Sequence, residues 1–317
     1  MPGIFVFSED AELAKQLMTP ALELKRSSSQ PVTALSLNET DAKELAALGA
    51  DKVIVLQSAG AWAEGLGDPI SCLLSAAGGG IFLVGGTLRG KHIAAHVAAK
   101  LNAAMSTDAK SLKIEGGKLV AVRLLYAGLA LCEEELWLPT VVTIAPRAFA
   151  PPHATEHAGT VETVKVESDP RVAISDFTRD HGGGVDIAGA TKLVAVGRGF
   201  RKQEDLKLAE DLAAAFKAEL ACSRPVAEDE HWLPIERYVG ISGHTVKPDL
   251  YLAVGISGQV QHMVGARESN IIVAVNNDEH APIFECADYG IVGDLYQVLP
   301  LLAAAVREKW RTTNSMQ

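Results

Sequence analysis

The chain has 317 residues, 48% of them hydrophobic and only 5% aromatic, with a formal net charge of −10. That length suits two domains, each with a substantial core built from Ala, Val, Leu and Ile rather than from rings. The acidity argues against non-specific nucleic-acid binding, no basic amphipathic stretch suggests a membrane surface, and the negative charge reads as solubility.

The first residues, MPGIFVFSED, lack the charged region and long apolar core of a signal peptide, and no apolar run is long enough to span a bilayer. Cys72, Cys132, Cys222 and Cys286 are scattered and form no CxxC, so neither a disulfide framework nor a zinc site is expected. Buried free thiols in a reducing cytoplasm are the expectation.

Strands and helices alternate through the first half. IFVFSE at 4–9 reads as a strand, residues 11–25 as an amphipathic helix, PVTALSL at 31–37 as a strand and residues 41–50 as a helix ending near Gly49. DKVIVLQ at 51–57 and GIFLVGG at 80–86 are continuous apolar runs of the kind buried on both faces of a parallel sheet, and residues 89–103 follow as a helix. Right-handed crossovers then imply an open, doubly wound α/β sheet. The period changes at 111–131, which reads as a hairpin turning at EGGK, and VVTIAPRAF at 141–149 is a further strand. Residues 150–160 look like loop. HGGGVDIAGA at 181–190 has neither period and serves as the expected linker between domains at 1–180 and 181–317.

The pattern restarts with strands at 192–200, 218–223, 249–255 and 271–277 and helices at 203–218 and 259–266, with residues 287–310 read as a helical C-terminus. Three of these strands end in small-residue turns: VGRGF, CSRP and VGISGQ. Ligands of open parallel sheets bind at the carboxyl ends of strands, and Gly255, Ser257 and Gly258 would let a phosphate approach the backbone. The spacing is not GxGxxG, and such turns are often only turns. VGISG occurs twice, at 239–243 and 254–258. The first copy lacks a buried strand before it and is followed by HTVKP. The 15-residue interval is too short for a βα unit, so the copies are not a structural repeat. They read as two loops that could converge on one extended ligand.

From Leu193 to Pro300 the chain resembles the α subunit of electron-transfer flavoprotein, through VGRGF, ACSRP, YVGISG, DLYLAVGISGQVQHMVGA, IIVAVNND and APIFECADYGIVGDLYQVLP in that order. The first half is similar through RGKHIAAHVAAKLNAAMSTDA and LLYAGLAL. The loop SRPVAEDEHWLPIERYVGIS resembles the Fix-type branch, associated with anaerobic acyl-CoA or carnitine metabolism in enteric bacteria. The resemblance implies FAD, held by a Rossmann-like C-terminal domain, and a β subunit docked on the N-terminal domain. The redox partners implied are flavin dehydrogenases or reductases and a quinone oxidoreductase. It places Arg224 over the isoalloxazine, Ser242 at flavin N5 and His262 at the pyrimidine edge near O2. Ser257, Gln261 and Asn276 take the pyrophosphate and ribityl region, Asp294 the adenosine end, and Arg198 and Ser223 the same cleft. Val239, Gly240, Gly243, Gly258 and Gln259 complete the two loops. Tyr238 and Ile241 stand where the β-oxidation branch has glutamines, which removes polar contacts beside the flavin. A fixed cation at Arg224 favours the anionic reduced flavin and raises its potential.

Without the resemblance, Arg224 is a surface arginine before a proline and His262 a capping or core histidine. His92, His96, His153, His157 and His231 show no metal-ligand spacing, Glu133, Glu134 and Glu135 read as a solvated turn, and Cys286 as a packed thiol. No nucleophile elbow is present. The expectation is an electron carrier, not a self-sufficient enzyme. Two alternatives are a bifurcating NADH-oxidising complex with a second flavin in the β subunit, and a nucleotide-binding regulatory module without redox chemistry. The expected linker would let the flavin domain swivel between partners.

Overall fold

The computed structural model describes residues 2–58, 62–126, 130–155, 158–172 and 186–314. The chain divides into two compact units, Met1–Thr178 and Arg179–Gln317. Of the linker expected at 181–190, residues 181–185 lie outside the described residues, as does His157. Residues 187–189 form a turn held by Gly189 N donating to Asp186 Oδ1 at 2.9 Å.

The first unit begins with β1 (Gly3–Phe7), α1 (Ala11–Ser28), β2 (Val32–Ser36), α2 (Glu39–Ala47) and β3 (Lys52–Gln57). Asp10 caps α1 by accepting from Leu13 N, and Gly49 takes a positive φ of 103° just after α2. Residues 58–79, unassigned from the sequence, contain α3 (Gly67–Ala76), and β4 (Gly80–Gly85) and α4 (Leu88–Leu101) follow. Next come β5 (Ala104–Glu115), β6 (Lys118–Leu125), β7 (Ala130–Leu136), β8 (Thr140–Ile144) and β9 (Thr160–Lys165). The sheet order is β7-β6-β5-β8-β4-β1-β2-β3-β9, parallel except for the β5–β6–β7 meander. Its two faces are covered by separate apolar clusters, Ile4 and Val6 facing one and Phe5 and Phe7 the other, as period-two alternation requires.

Two expectations fail. The acidic run is not a turn. Glu133, Glu134 and Glu135 lie on β7 opposite Val122, Ala121 and Val120, and Lys113, Arg123 and Lys118 pair with them in that order. Cross-strand cations let an acidic segment join a sheet. The loop expected at 150–160 is found in the described residues 150–155 and 158–159, and at Thr160 it leads into β9, an edge strand without buried residues and so without an apolar signature. The helix expected over 287–310 begins only at Leu295. Residues Tyr289–Val292 form an exposed edge strand instead.

The second unit contains β10 (Lys192–Val196), α5 (Lys207–Phe216), β11 (Glu219–Cys222), β12 (Leu250–Val254), α6 (Val260–Ala266), β13 (Ile272–Asn276), α7 (Ile283–Cys286), β14 (Tyr289–Val292) and α8 (Leu295–Asn314). All its strand pairs are parallel, in the order β11-β10-β12-β13-β14. Counted within the unit this is 2-1-3-4-5, so the strand order reverses between β10 and β12. Val194 and Val196 face a cluster with Leu212 of α5 and Leu299 of α8, while Leu193 and Ala195 face one with Met263 of α6 and Ile283 of α7. The unit is thus a doubly wound α/β layer with a defined switch point, where ligands of such sheets bind. Among the described residues, no helix is long and apolar enough to cross a membrane.

Candidate functional site

The turns after β10 and β12 meet at the switch point. Gly197 N donates to Val254 O at 2.9 Å and Gly199 N to Gly255 O at 3.0 Å. Gly255 has φ +62°, and a Cβ on it would lie 2.8 Å from Gly199 Cα. Only two glycines permit this approach, which explains the pairing of VGRGF with VGISG. Beside them, Ser223 N donates to Val196 O at 2.9 Å, carrying the line of β11 to Arg224. A single π-helical turn, Pro225–Asp229, follows. Across it Arg224 Nε meets Glu228 Oε2 at 2.5 Å, an ion pair that holds the guanidinium of a largely exposed side chain.

The first VGISG is built differently. Val239 N donates to Cys222 O at 2.9 Å, which lays the segment beside the end of β11. The chain then turns back through Gly240, whose N–H donates to His244 O at 3.2 Å. The Tyr238 hydroxyl and Ser242 Oγ are 2.9 Å apart. Ile241 N donates to Gln261 O at 2.8 Å, and Gly265 leaves no room for a Cβ, which would sit 2.5 Å from Gly240 N. The first loop is therefore fastened to α6, the helix that leaves the second loop.

Together these segments enclose a cavity of about 450 Å³, within the ordinary range of ligand sites. Of the residues expected at the site, Arg198, Ser223, Arg224, Ser242, Ser257, Gln259, Gln261 and His262 line it, with Tyr238 and Ile241. The others stand behind or away from it. Val239 is wholly buried in the core, and Gly240 and Gly243 shape the first loop. Gly258, at φ +85°, lies where a Cβ would be 2.2 Å from Ile283 N. Asn276 Nδ2 donates to Ile256 O at 2.9 Å, bracing the second loop from β13. Asp294 is exposed and caps α8 by accepting from Tyr296 N at 2.9 Å. Sequence reasoning missed Glu228, four residues from Arg224 and so on the same side of a helical turn, and Tyr251.

Tyr251 is fully buried on β12, and its hydroxyl lies 2.8 Å from His262 Nε2. His262 Nδ1 is buried with no hydrogen-bond partner among the described residues. Burial pulls the His262 pKa down to about 4, opposed by the Val239 carbonyl, so the ring is neutral near pH 7. Burial also pushes Cys222 up to about 12, which keeps it a thiol despite Arg237 nearby. The hydroxyls and amides of Ser223, Ser242, Ser257, Gln259 and Gln261, with the cation of Arg224, fit a polar, partly anionic ligand.

Elsewhere, a cavity of about 280 Å³ lies near the ends of β2, β3 and β9, away from the β4–β1 switch point of its own sheet. His96 Nε2 lies 2.8 Å from Asp68 Oδ1. Among the described residues no group of three or more His, Cys, Asp or Glu could hold a metal ion.

Comparison with known proteins defines the class. The electron transfer flavoprotein FAD-binding domain matches residues 186–267, and the electron transfer flavoprotein domain matches residues 6–169. Protein FixB of Escherichia coli O127:H6 is 42% identical over 311 residues, covering 96% of this chain and 97% of its own length. Protein FixB of Shigella flexneri is 42% identical over 320 residues with the same coverage of 96% and 97%. The chain belongs to the electron-transfer flavoprotein α-subunit family, on its Fix-type branch, and FAD is its cofactor.

Proposed function

We propose that FAD occupies the switch-point cavity and that the chain is the α subunit of a heterodimer with an electron-transfer flavoprotein β subunit. The complex carries electrons between acyl-CoA-type dehydrogenases or reductases and a quinone oxidoreductase or other redox partner. The observation that carries this reading is the convergence of both VGISG loops and the Ser223–Arg224 turn on one cavity. FAD supplies the redox chemistry, and the protein supplies position and charge. Arg224 bonds Glu228 through Nε, which holds a permanent cation at the cavity rim. That cation stabilises negative charge developing on a bound ring. Tyr238 orients the Ser242 hydroxyl, and His262 meets the ring as a neutral group. Arg198, Ser223, Ser257, Gln259 and Gln261 hold the polar chain of the cofactor. Asn276 acts by bracing the second loop, and Asp294 serves the adenosine end while capping α8. In this reading the first unit docks the β subunit, and the complex works in the cytoplasm.

The test is cofactor content after co-expression with the β subunit. One FAD with one AMP per heterodimer is expected of a simple carrier, two FAD would mark a bifurcating complex, and a folded complex without flavin would overturn the reading. Arg224→Ala should weaken FAD binding about tenfold to a hundredfold, by loss of a charge-assisted contact, and lower the flavin midpoint potential.

A further inference from the structure

An ion pair joins two cavities of the second unit. Arg224 and Pro225 line the switch-point cavity, and Glu228 is absent from its lining. Glu228 instead lines a second cavity of about 450 Å³ beside the π-helical turn, with His231, Trp232 and Ile235. The turn is held in shape by Glu230 N donating to Pro225 O at 2.9 Å and Trp232 N to Val226 O at 3.0 Å, and His231 takes φ +53° just after it. A π turn followed by a left-handed residue other than glycine is a costly local shape, kept where it places a side chain.

The side chain it places is Glu228. Its Oε2 accepts the Nε hydrogen of Arg224 at 2.5 Å, and the two terminal nitrogens of the guanidinium make no hydrogen bond among the described residues. A bidentate pair would have engaged one of them, whereas this single bond leaves both for a ligand. The Arg224 side chain is 63% exposed, and without the bond it would be free to leave the cavity through many rotamers. The carboxylate also has an opposite effect. The Glu228 hydrogen bond and charge raise the Arg224 pKa more than Tyr238 and Asp229 do, so Glu228 is the main counter-charge of this guanidinium. A ligand in the switch-point cavity therefore meets a cation with an anion beside it, and that field is weaker than the field of a bare cation.

We propose that Glu228 is a positioning residue with two opposed effects on the site: its hydrogen bond orients the Arg224 guanidinium toward the flavin, and its charge moderates the rise in flavin potential that the guanidinium produces. The inference rests on the FAD site proposed above.

Glu228→Gln and Glu228→Ala separate the two effects in the FAD-loaded complex with the β subunit. Gln keeps an oxygen that can accept from Nε and removes the charge. It should raise the flavin midpoint potential, favouring the reduced ring about twofold to fivefold, with FAD content retained. Ala removes the acceptor as well and should weaken FAD binding about twofold to fivefold. In an Arg224→Ala background, Glu228→Ala should weaken binding no further, because Glu228 acts through the guanidinium. Reductive titration in the visible spectrum reads the potential, and fluorescence titration reads the affinity. A Glu228→Gln complex that loses its flavin, or whose potential equals or falls below that of the wild type, would overturn the proposal. So would an equal loss of affinity from Glu228→Ala in both backgrounds. If one of the variants fails to fold, the measurement on the other decides. A wild-type complex that carries no flavin sinks the FAD reading instead, and is seen in its visible spectrum before any variant is made.

Discussion

The two VGISG segments have one sequence and two structures. The copy at 254–258 completes β12, turns sharply at Gly255 with φ +62° and runs into α6. The copy at 239–243 lies beside the end of β11 and folds back on itself, with φ +156° at Gly240. Five residues do not choose between these forms. The second copy is preceded by LYLA, whose side chains fill both faces of a parallel sheet. The first is preceded by IER and Tyr238 and is placed by the ring of Tyr238 and by the Ile241–Gln261 bond. Small residues supply permission to turn, and long-range partners decide how.

The largest difference between the copies should appear at their last glycines. Gly258→Ala puts a Cβ 2.2 Å from Ile283 N in the core, at positive φ, and should cost about 3–4 kcal/mol in the second unit. Gly243→Ala puts a Cβ 2.5 Å from the Tyr238 carbonyl oxygen, in an exposed loop and without a positive φ, and should cost about 1–2 kcal/mol. Urea unfolding of the whole chain, followed by a probe in the second unit, compares them. Equal losses would mean that the first loop is as firmly held as the second.

A smaller effect concerns the histidine that joins the two copies. His262 has its pKa lowered from 6.5 to about 4 by burial. Between those values the unfolded chain binds a proton that the folded one refuses. Stability is therefore full above 6.5 and falls as pH drops toward 4, by about 3 kcal/mol in all. His262→Gln should flatten that part of the pH–stability curve, and an unchanged slope would assign the loss to another group.

The serines sharpen the comparison further. Ser257→Ala and Ser242→Ala should each weaken FAD binding about threefold to tenfold, as loss of one neutral hydrogen bond does. Only Ser242→Ala also frees the Tyr238 hydroxyl, so Tyr238→Phe should lower the cost of losing Ser242 and leave that of Ser257 unchanged in fluorescence titrations. The smallest effect is at Asp294. Asp294→Ala should cost about 1 kcal/mol of stability through the lost cap on α8, whereas Asp294→Asn should restore the cap. If both variants lose FAD equally at full stability, Asp294 serves the cofactor rather than the helix.

Much of the architecture was legible beforehand because its strands are buried on both faces. IFVF, VIVL, IFLV, LVAV and LYLA are continuous apolar runs, and only a sandwiched parallel strand needs them. The edge strands β9 and β14 were not legible, since an edge exposed to solvent imposes no apolar pattern. Nor was β7, whose acids depend on cations of β6 and β5 across the sheet. At the site, the turn residues and Arg224 were visible through glycine spacing and through resemblance to a known family. The partners that orient them were not. Glu228 becomes a partner of Arg224 only once the chain takes a π-helical turn.

Local sequence by itself thus determined where this chain turns, which segments lie inside a sheet and which polar groups cluster near strand ends. Those properties follow from backbone permission and side-chain solubility, which act over a few residues. The strand order 2-1-3-4-5, the fastening of one VGISG loop to the helix after the other, and the Tyr251–His262 pair were decided only in the tertiary structure. Each depends on which distant groups share a buried space, where an unmet hydrogen bond is costly and a single Cβ decides whether two backbones can touch.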